Sequence, residues 1–390
     1  MREGWEYMKL GDVCTIERGG SPRPIADYIT ESADGINWIK IGDAVEGSKY
    51  ILFTKEKIRP EGIKKSRFVH KGDVILSNSM SFGKPYILGI DGCIHDGWLV
   101  LHDNNNTFSK DYLYYVLSSP IMYSKFTQLA VGGVVNNLNS NIVREVVVAI
   151  PPLSTQLSIV SELDKINELI RLKKEQLSDY DKLAMSIFYE MFGDPIINEK
   201  GWEVKKIGEI GTVERGAGIS KKDFVEEGLP CIHYGQLHTI LGPTTRHHHS
   251  CIPESLLPKY KIAHTNDVIM AITSEDVDGS CKSTAWLGNY DIVIGSDAAI
   301  LHHEQDGTFL SYYTMTKAFF NEKSKYAKGF KVTHISAKEI ENIRVYLPPL
   351  ALQKDFAKRI EVIEQQKENI KSTIQDLETL LASRMQYWFD

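Results

Sequence analysis

The chain has 390 residues, of which 42% are hydrophobic and 25% charged, and its formal net charge is −6 at pH 7. This composition is typical of a globular protein with two or three domains. No apolar run approaches the ~20 residues that cross a bilayer, and the start lacks the apolar core of a signal peptide, so we expect a cytoplasmic protein. The five cysteines are scattered and never spaced as CxxC, which excludes a disulfide framework or a zinc clip.

One unit of sequence is written twice along the chain. Residues 4–19 read GWEYMKLGDVCTIERG and residues 201–216 read GWEVKKIGEIGTVERG, with nine of the sixteen positions identical. At the same offset of 197 residues, GGVVNNLNSNIVREVVVAIPPLSTQ from Gly132 matches GFKVTHISAKEIENIRVYLPPLALQ from Gly329. The residues between these blocks align only in fragments. A shared frame with two different interiors predicts two sites that recognise different things.

The interior of each copy predicts a mixed α+β fold. Short β-branched runs bounded by Gly- and Asn-rich turns indicate strands, and longer runs with helical spacing indicate helices. In copy one the predicted strands are 37–41, 73–76, 85–90, 98–102 and 146–150, and the predicted helices are 110–117 and 121–130. In copy two the predicted strands are 231–234, 268–272, 291–294 and 299–302, and the predicted helices lie near 310–317 and 318–327.

Each copy is predicted to end in a long helix that begins after a Pro-Pro pair. Proline is tolerated in the first turn of a helix but not inside a sheet, so Pro151-Pro152 and Pro348-Pro349 separate strand from helix. Beyond them, apolar residues recur every seven residues, which is the pattern of a coiled-coil seam. The seam residues are Leu163, Ile166, Ile170, Leu177, Tyr180 and Ile187 in copy one, and Ile360, Ile363, Ile370, Ile374, Leu377 and Leu381 in copy two. Lys173, Lys367 and Arg384 interrupt the seam.

An apolar stripe of this length needs a partner, and the nearest one is the helix of the other copy. Antiparallel pairing of two helices about 57 Å long would place the globular parts at opposite ends, related by a pseudo-two-fold axis. The alternative is that each helix packs only on its own globular part. We expect globular domains at 1–150 and 194–347 and coiled-coil helices at 151–193 and 348–390. The same symmetry predicts that Met1 and Asp390 lie close together.

The sequence contains no motif that would make the chain an enzyme. There is no GxxxxGK[ST] loop for ATP, and the GxG at 216–218 does not continue as a dinucleotide-binding loop. The histidines at 247–249 and 302–303 could bind a metal, but adjacent residues rarely direct their imidazoles to one ion. Asp91 with Asp96, and Asp276 with Asp278, lack the lysine that a metal-dependent nuclease needs. We therefore predict a non-catalytic protein without a cofactor or a metal.

Polar loops fall at matching points of the two copies and carry side chains suited to DNA. Ser and Asn can hydrogen-bond to base edges, while Arg and Lys can pair with guanine or phosphate. The candidate DNA contacts of copy one are Arg18, Ser21, Arg23, Lys64, Lys65, Arg67, Ser77, Asn78, Ser79, Lys84, Asn136 and Asn137. Those of copy two are Arg215, Lys221, Lys222, Arg246, Thr273, Ser274, Lys282 and Lys331. Turn chemistry alone would explain any single one of these loops.

Over its whole length the chain resembles the specificity subunit of type I restriction-modification systems. The resemblance rests on GWE…KLGDV and GWE…KIGEI, on IPPLSTQLSIVSELD and LPPLALQKDFAKRIE, and on SIFYEMFGDPIINEKGW at the junction. It implies two target-recognition domains that bind a bipartite, asymmetric site on double-stranded DNA. It also implies an antiparallel coiled coil that docks two modification (adenine methyltransferase) subunits, and recruitment of ATP-dependent restriction (endonuclease and translocase) subunits. Neither a cofactor nor a membrane is implied.

The residues alone leave two other interpretations open. The chain could be the recognition part of a fused restriction-methylation enzyme, although the catalytic motifs of such an enzyme are missing. It could instead be a duplicated, non-catalytic coiled-coil scaffold that binds proteins. The acidic net charge favours the scaffold, because DNA-binding domains usually carry a basic excess.

Overall fold

A computed structural model describes residues 2–45, 47–78, 82–103, 105–130, 138–255, 260–329 and 332–390. The chain divides into two compact units: unit 1 contains Met1–Lys174 and Ser372–Asp390, and unit 2 contains Glu175–Lys371. Each unit holds one globular part and segments of two long helices. In the described part of the chain, every helix is too short or too polar to cross a membrane.

In its described residues, unit 1 contains three sheets and a set of short helices. Its strands are β1 (Glu6–Lys9), β2 (Cys14–Arg18), β3 (Ile29–Thr30), β4 (Ile36–Ile39), β5 (Tyr50–Ile51), β6 (Glu56–Ile58), β7 (Arg67–Val69), β8 (Val74–Ser77), β9 (Pro85–Leu88), β10 (Gly92–Ile94), β11 (Trp98–Asp103) and β12 (Val147–Ile150). Its helices are α1 (Leu10–Val13), α2 (Lys110–Ser118), α3 (Pro120–Ala130), α4 (Ser140–Glu145) and the first part of α5 (Leu153–Phe192). The strand orders are β1-β12, β3-β6-β4-β10-β7 and β2-β11-β8-β9-β5.

Unit 2 repeats this plan with different details. Its strands are β13 (Glu203–Lys206), β14 (Gly211–Arg215), β15 (Leu229–Ile232), β16 (Thr244–Thr245), β17 (Ser250–Ile252), β18 (Lys261–Ala263), β19 (Val268–Ala271), β20 (Thr273–Ser274), β21 (Ser283–Trp286), β22 (Ile292–Ile294), β23 (Ala298–His303), β24 (Thr333–His334) and β25 (Arg344–Leu347). Its helices are α6 (Ile207–Ile210), α7 (Tyr234–Thr239), α8 (Gly307–Thr314), α9 (Lys317–Lys323), α10 (Ala337–Ile340) and part of α11 (Leu350–Phe389). The strand orders are β13-β25, β14-β23-β19-β21-β16, β17-β15-β22-β18 and β20-β24.

The two copied blocks of sequence meet in space within each unit. Strand β1 from the first block pairs antiparallel with β12 from the second, with Glu6 opposite Ile150. In unit 2, β13 pairs antiparallel with β25 in the same way, with Glu203 opposite Leu347. The copied sequence is therefore the frame that closes each globular part just before its long helix begins.

The predicted α+β class and most predicted elements are confirmed. The predicted strand at 98–102 is β11, and the predicted helix at 110–117 is α2. The helices predicted near 310–317 and 318–327 begin earlier, as α8 and α9, because Asp306 and Thr316 cap them: each side chain accepts a hydrogen bond from a first-turn amide. Edge strands of two residues, such as β5 and β16, were not predicted, because two residues show no periodicity.

In each unit, one buried cluster joins strands of the globular part to the helices. In unit 1, Leu99 and Leu101 of β11 belong to one buried cluster with Ile159 and Leu163 of α5. In unit 2, Phe192 of α5 packs at 4.8 Å between ring centroids against Phe309 of α8, and at 5.3 Å against Phe356 of α11. Full burial of each such side chain is worth about 1.5–3 kcal/mol. The long helices are thus partly held by the globular parts.

The two long helices also contact each other antiparallel within each unit. In unit 1, Glu162 pairs with Arg384, whose Nη2 lies 3.1 Å from Glu162 Oε2, and Lys174 Nζ lies 2.8 Å from Glu378 Oε1. In unit 2, Lys367 Nζ lies 2.8 Å from Asp181 Oδ1. Residue numbers rise along α5 as they fall along α11, so the helices run in opposite directions.

Most predicted seam residues are buried, but the seam ends earlier on α5 than predicted. Leu163, Ile166, Ile170, Ile360, Ile363, Ile370 and Ile374 are buried, whereas Leu177, Tyr180, Ile187, Leu377 and Leu381 are half-buried. Near the end of α5 the buried positions are Ala184, Phe188 and Phe192, which are four residues apart. This spacing follows from packing on the globular part of unit 2, where Phe188 stacks on Phe309.

The beginning and the end of the chain meet in unit 1. The rings of Trp5 and Trp388 stack with centroids 6.5 Å apart, and Arg2 donates a hydrogen bond to the carbonyl of Tyr387. The Arg2 guanidinium also lies 4.6 Å from the centroid of the Tyr387 ring. Met1 itself is outside the described residues, but its neighbour Arg2 contacts Tyr387 near Asp390, as expected for termini that lie close together.

Candidate functional site

Four predicted DNA contacts of unit 1 converge on the loop that precedes β11. Arg18 Nε and Asn78 Nδ2 each donate to the carbonyl of Asp96 at 2.9 Å. Ser21 Oγ donates to Asp96 Oδ1 at 2.8 Å, and Arg23 Nη2 lies 3.8 Å from Asp96 Oδ2. We call this group, together with His95, the first polar cluster.

The charges of the first polar cluster leave cationic groups available. Partial burial raises the pKa of Asp96, but Ser21, His95 and the two arginines outweigh burial, so its pKa lies below the usual value. Asp96 is therefore ionised at neutral pH and organises the side chains around it. The Arg23 side chain is 82% exposed and Arg18 is exposed as well. Both guanidiniums can reach an anionic ligand without breaking the loop apart.

Close backbone approach explains why the copied motif ends in Arg-Gly. The amide of Gly19 donates to the carbonyl of Trp98 at 2.9 Å, and a Cβ at Gly19 would lie 2.2 Å from the carbonyl oxygen of His95. In unit 2 the amide of Gly216 donates to Ala298 at 2.9 Å, and a Cβ there would lie 2.1 Å from the Gly295 carbonyl oxygen. Only glycine lets the strand end touch this loop.

A basic turn lies beside the first polar cluster. Lys64 and Lys65 end a 3-10 helix (Pro60–Lys65), and both are exposed. The carbonyl oxygen of Lys65 is 3.0 Å from where a Cβ at Gly20 would stand, so this turn touches the loop formed by residues 18–20. Arg67 follows and forms an ion pair with Glu17 at 3.2 Å. The predicted contacts Lys64, Lys65 and Arg67 therefore lie beside those of the first polar cluster.

Two predicted contacts of unit 1 are buried, and we revise their role. Ser77 and Asn78 are 1% and 3% exposed. Ser77 Oγ accepts a hydrogen bond from the amide of Lys84 at 2.9 Å, and Asn78 holds Asp96 as described. Their polar groups thus hold the backbone of the loops at Lys84 and Asp96 in place. The side chain of Lys84 itself is exposed.

Unit 2 carries a second polar cluster at the corresponding place. Arg215 Nε donates to the carbonyl of Ser296 at 2.9 Å, and its Nη2 lies 3.7 Å from Asp297 Oδ1. Thr273 Oγ1 donates to Asp297 Oδ1 at 3.4 Å and lies 3.2 Å from His334 Nδ1. The second polar cluster comprises Arg215, His238, Thr273, Lys282, Asp297 and His334.

Histidines and lysines surround the second polar cluster. His238 Nε2 lies 3.1 Å from the carbonyl of Thr273, and Lys282 Nζ donates to the carbonyl of His238 at 3.0 Å. Burial and then the charge of Lys221 lower the pKa of the nearby His233, whereas Asp297 of the cluster raises it. Lys221 and Lys222 are exposed on a short 3-10 turn, and Ser274 is half-buried next to Thr273.

The remaining predicted contacts fall elsewhere. Arg246 does not join the second polar cluster, because its Nη2 donates to Glu361 Oε1 on α11 at 2.6 Å and its Nη1 to the carbonyl of Leu287 at 3.4 Å. Its role as a DNA contact stays a prediction, and the structure adds a contact with the long helix. The other four predictions lie outside the described residues: Ser79, Asn136, Asn137 and Lys331.

The sequence interpretation missed several residues of these clusters. His95, His238 and His334 were not proposed, and Asp96 was considered only as a nuclease carboxylate. Lys323 was missed as well: its Nζ donates to the carbonyl of Asp278 at 2.8 Å and to that of Ser280, which holds the loop between β20 and β21. The dipeptide Asp96-Gly97 is typical of a turn and could have pointed to this loop. No sequence pattern distinguishes a single buried lysine such as Lys323 from an exposed one.

Neither metal ligands nor reactive thiols stand out in the part of the chain that the structure describes. Within it, no group of three or more His, Cys, Asp or Glu could hold an ion. His248 Nδ1 lies 2.7 Å from Tyr290 Oη, and His302 Nδ1 lies 2.8 Å from Asp267 Oδ2, so both histidines have protein partners. The five cysteines are free thiols, and burial raises the pKa of Cys281 to about 12.

Comparison with known families and proteins agrees with the resemblance read from the motifs. The family model described as "Type I restriction modification DNA specificity domain" matches residues 2–179 and again residues 199–379. The type I restriction enzyme MjaVIII specificity subunit of Methanocaldococcus jannaschii is 23% identical, over 97% of this chain and 92% of that protein. A putative specificity subunit of Haemophilus influenzae is 31% identical, over 42% of this chain and 40% of that protein.

Two solved structures share the fold. One, from work on complex assembly and conformational transition of the type I R-M system, has a TM-score of 0.61 at 20% identity. It covers 99% of this chain and 97% of its own. The other, the type I restriction-modification S subunit from M. genitalium, has a TM-score of 0.55 at 13% identity and covers 99% of this chain and 96% of its own.

Proposed function

Because the chain belongs to the family of type I restriction-modification DNA specificity subunits, we propose that it binds a bipartite, asymmetric site on double-stranded DNA through its two polar clusters. A subunit of this family recognises the DNA target and is not itself an enzyme. One observation carries the proposal. The two clusters occupy corresponding places in the two copies, beside the copied Arg-Gly motif, yet they present different side chains.

The chemistry of the clusters suits base and phosphate contacts. In unit 1 the exposed Arg18, Arg23, Lys64 and Lys65 supply cations that can neutralise phosphates, and an arginine can pair bidentately with guanine. In unit 2 the neighbouring groups are Arg215 and Lys282 together with hydroxyl and imidazole groups. Since the side chains differ, the two half-sites of the DNA differ in sequence, which makes the target asymmetric.

The long helices act as the spacer in this proposal. We take α5 and α11 as one continuous antiparallel coiled coil (151–193 and 348–390) that joins recognition domains 1–150 and 194–347 with pseudo-two-fold symmetry. The antiparallel contacts inside each unit support this arrangement. A stiff spacer fixes the distance between half-sites at about one DNA turn, roughly 34 Å, or somewhat more. Because the two domains are tethered, binding of the second half-site is intramolecular, which raises the overall affinity for the DNA.

The partners in this proposal are two modification subunits, which methylate adenine, and ATP-dependent restriction subunits, all in the cytoplasm. Exposed leucines on α5 offer these partners an apolar surface: Leu157 and Leu169 are 54% and 48% exposed. The protein subunits would also add DNA contacts of their own. This helps to reconcile DNA binding with a net charge of −6.

The proposal is tested by mapping methylated adenines in the host genome with and without this gene. We expect a two-part motif with a fixed internal gap that disappears when the gene is deleted and returns with the gene on a plasmid. A methylation pattern that is the same in both strains would contradict the proposal.

The scaffold alternative is tested by measuring DNA affinity at increasing salt concentration. The assembled complex is expected to lose DNA affinity steeply between 50 and 200 mM salt, by about 10³-fold or more for six or more phosphate contacts. A protein-binding scaffold would show no such dependence.

A further inference from the structure

Each unit fastens its globular part to its long helix at two points. The first point is a buried glutamine, Gln156 in unit 1 and Gln353 in unit 2, which is 1% and 0% exposed. The second point lies eight residues further along each helix, at Asp164 and Glu361. There the helix presents a carboxylate to a cation of the globular part. With a rise of 1.5 Å per residue, the two points are about 12 Å apart.

The second point is an ion pair in both units. In unit 1, Lys49 Nζ lies 3.1 Å from Asp164 Oδ1 and 2.6 Å from Asp111 Oδ1, and its side chain is 15% exposed. The ring of Tyr115 lies 4.8 Å from the same ammonium, and Tyr115 Oη donates to Asp164. In unit 2, Arg246 Nη2 lies 2.6 Å from Glu361 Oε1, with the arginine side chain 52% exposed. The cation is therefore more buried in unit 1, although its distance to the helix carboxylate is longer.

The two copies reach this ion pair by different routes. Lys49 immediately precedes β5, whereas Arg246 immediately follows β16. These strands are equivalent, because each is the two-residue edge strand that pairs in parallel with the strand next to it, β9 or β21. The carboxylates occupy the same helix position, but the cations come from opposite ends of the edge strand. The contact has been kept although its residue has changed, which indicates that the contact itself is needed.

A second attachment point prevents rotation about the first. A domain of about 150 residues is roughly 35 Å across, so a pivot of about 6° at the helix moves its far edge by about 3.5 Å. This is close to the rise of one base pair, about 3.4 Å. Small changes in the angle between domain and helix therefore change which half-site separation fits.

We propose that Lys49 with Asp164, and Arg246 with Glu361, are positioning pairs that fix the angle of each recognition domain on its helix and so restrict the target to one separation of the half-sites. The inference rests on the proposed DNA recognition and adds the residues that select the separation. These pairs do not contact bases, so they act on spacing and leave the half-site sequences unchanged.

The test uses the full chain assembled with its modification subunits. Adenine methylation is measured on duplexes that carry both half-sites at the native separation, or one base pair closer or further apart. For Arg246→Glu we expect the preference for the native separation to fall about threefold, as suits a half-exposed pair. For Lys49→Glu we expect a fall of about tenfold, because the lysine is largely buried between two carboxylates. The exchange Arg246→Glu with Glu361→Arg is expected to restore the preference.

The matched control is Arg359→Glu. This change also reverses the charge of an arginine in a half-exposed ion pair, at 3.3 Å from Asp355, but here both partners lie on α11 itself. It should leave the preference unchanged. The inference is overturned if Arg246→Glu and Lys49→Glu methylate with the wild-type preference, or if the charge exchange fails to restore it. A wild-type complex that shows no two-part target would instead overturn the proposed function, and the inference with it.

Discussion

Lys367 interrupts the apolar seam, and the structure shows how the seam accommodates it. Its side chain is 7% exposed, and Nζ lies 2.8 Å from both Asp181 Oδ1 and Glu364 Oε1. Burial lowers the pKa of Lys367, but the two carboxylates outweigh burial and the pKa is raised. This stabilisation is present below the ordinary lysine pKa and is lost only as pH rises through the raised value. Arg384 is accommodated in the same way by Glu162.

At the residue scale, His303 makes unit 2 sensitive to acid. Both ring nitrogens are buried, and among the described residues neither makes a hydrogen bond of good geometry. Burial lowers the pKa of His303 to about 4, although the nearby Gln305 backbone opposes the shift. The folded protein therefore binds a proton less readily than the unfolded chain, whose histidine pKa is about 6.5. Stability is full above pH 6.5 and falls toward pH 4, by about 3 kcal/mol from this residue. His303→Leu should flatten that fall, as measured by urea unfolding at pH 7.5 and pH 5.

His264→Gln is the control for this prediction. Its partner Asp291, at 2.8 Å, raises the pKa of His264, so its contribution is present at low pH and is lost as pH rises. The two variants must therefore change the pH dependence in opposite directions. An equal loss of stability at both pH values for His303→Leu would contradict a titrating role.

Sequence alone could identify the exposed members of the polar clusters but not the buried ones. Arg18 and Arg23 were predicted because residue type and turn context point to anion contacts. Asn78 has the same residue type as a base-reading side chain, yet it is buried and holds Asp96. Exposure depends on the packing of strands that are distant in sequence, and no local pattern reports it. The same limit applies to Arg246, whose partner on α11 is 115 residues away.

At the element scale, the start of each long helix is hydrogen-bonded to its domain through one buried glutamine. Gln353 Oε1 accepts from the amide of Asp306 at 3.0 Å, and its Nε2 donates to the carbonyl of Pro348 at 2.8 Å. Gln156 makes the matching bonds, accepting from Ser109 at 2.8 Å and donating to Pro151 at 3.0 Å. The start of each long helix is thus fixed to the start of α8 or α2.

Gln353→Glu tests this junction with a side chain of the same shape. A carboxylate can still accept from Asp306, but it cannot donate to Pro348, so two acceptors would face each other in a buried place. We expect the free energy of unfolding to fall by about 1–3 kcal/mol, measured by urea denaturation. Gln365→Glu, on an exposed position of the same helix, is the control and should change stability by less than about 0.5 kcal/mol. Equal effects of the two changes would contradict the junction role.

The long helices could be predicted from their seven-residue apolar repeat, but the exact residues at which they begin and end could not. The coiled-coil helices were expected at 151–193 and 348–390, and α5 and α11 span Leu153–Phe192 and Leu350–Phe389. The apolar repeat extends over 40 residues in each helix, so the few charged residues within it do not obscure the prediction. The sheet orders were not predicted, because pairing such as β3-β6-β4-β10-β7 depends on contacts between distant segments.

At the scale of the whole molecule, the proposed spacer predicts that the length of the long helices sets the separation of the half-sites. We call this relation the ruler. Seven residues inserted after Lys174 and seven after Lys371 add one heptad to each helix and keep the seam in register. The helices lengthen by about 10.5 Å, so the preferred separation of half-sites should grow by about three base pairs. Methylation of duplexes with graded separations measures the shift. Insertion into α5 alone is the control and should abolish the preference, whereas an unchanged preference in the double insertion would contradict the ruler.

The division of the chain also has a consequence for its synthesis. Unit 2 is continuous from Glu175 to Lys371, but unit 1 needs Ser372–Asp390 to complete its core, to which Met385 contributes. Roughly 200 residues separate the two parts of unit 1, which a ribosome adds in about 10–40 s. During that interval the core cluster that contains Ile159 and Leu163 lacks Met385. The half that leaves the ribosome first is therefore the half that finishes folding last.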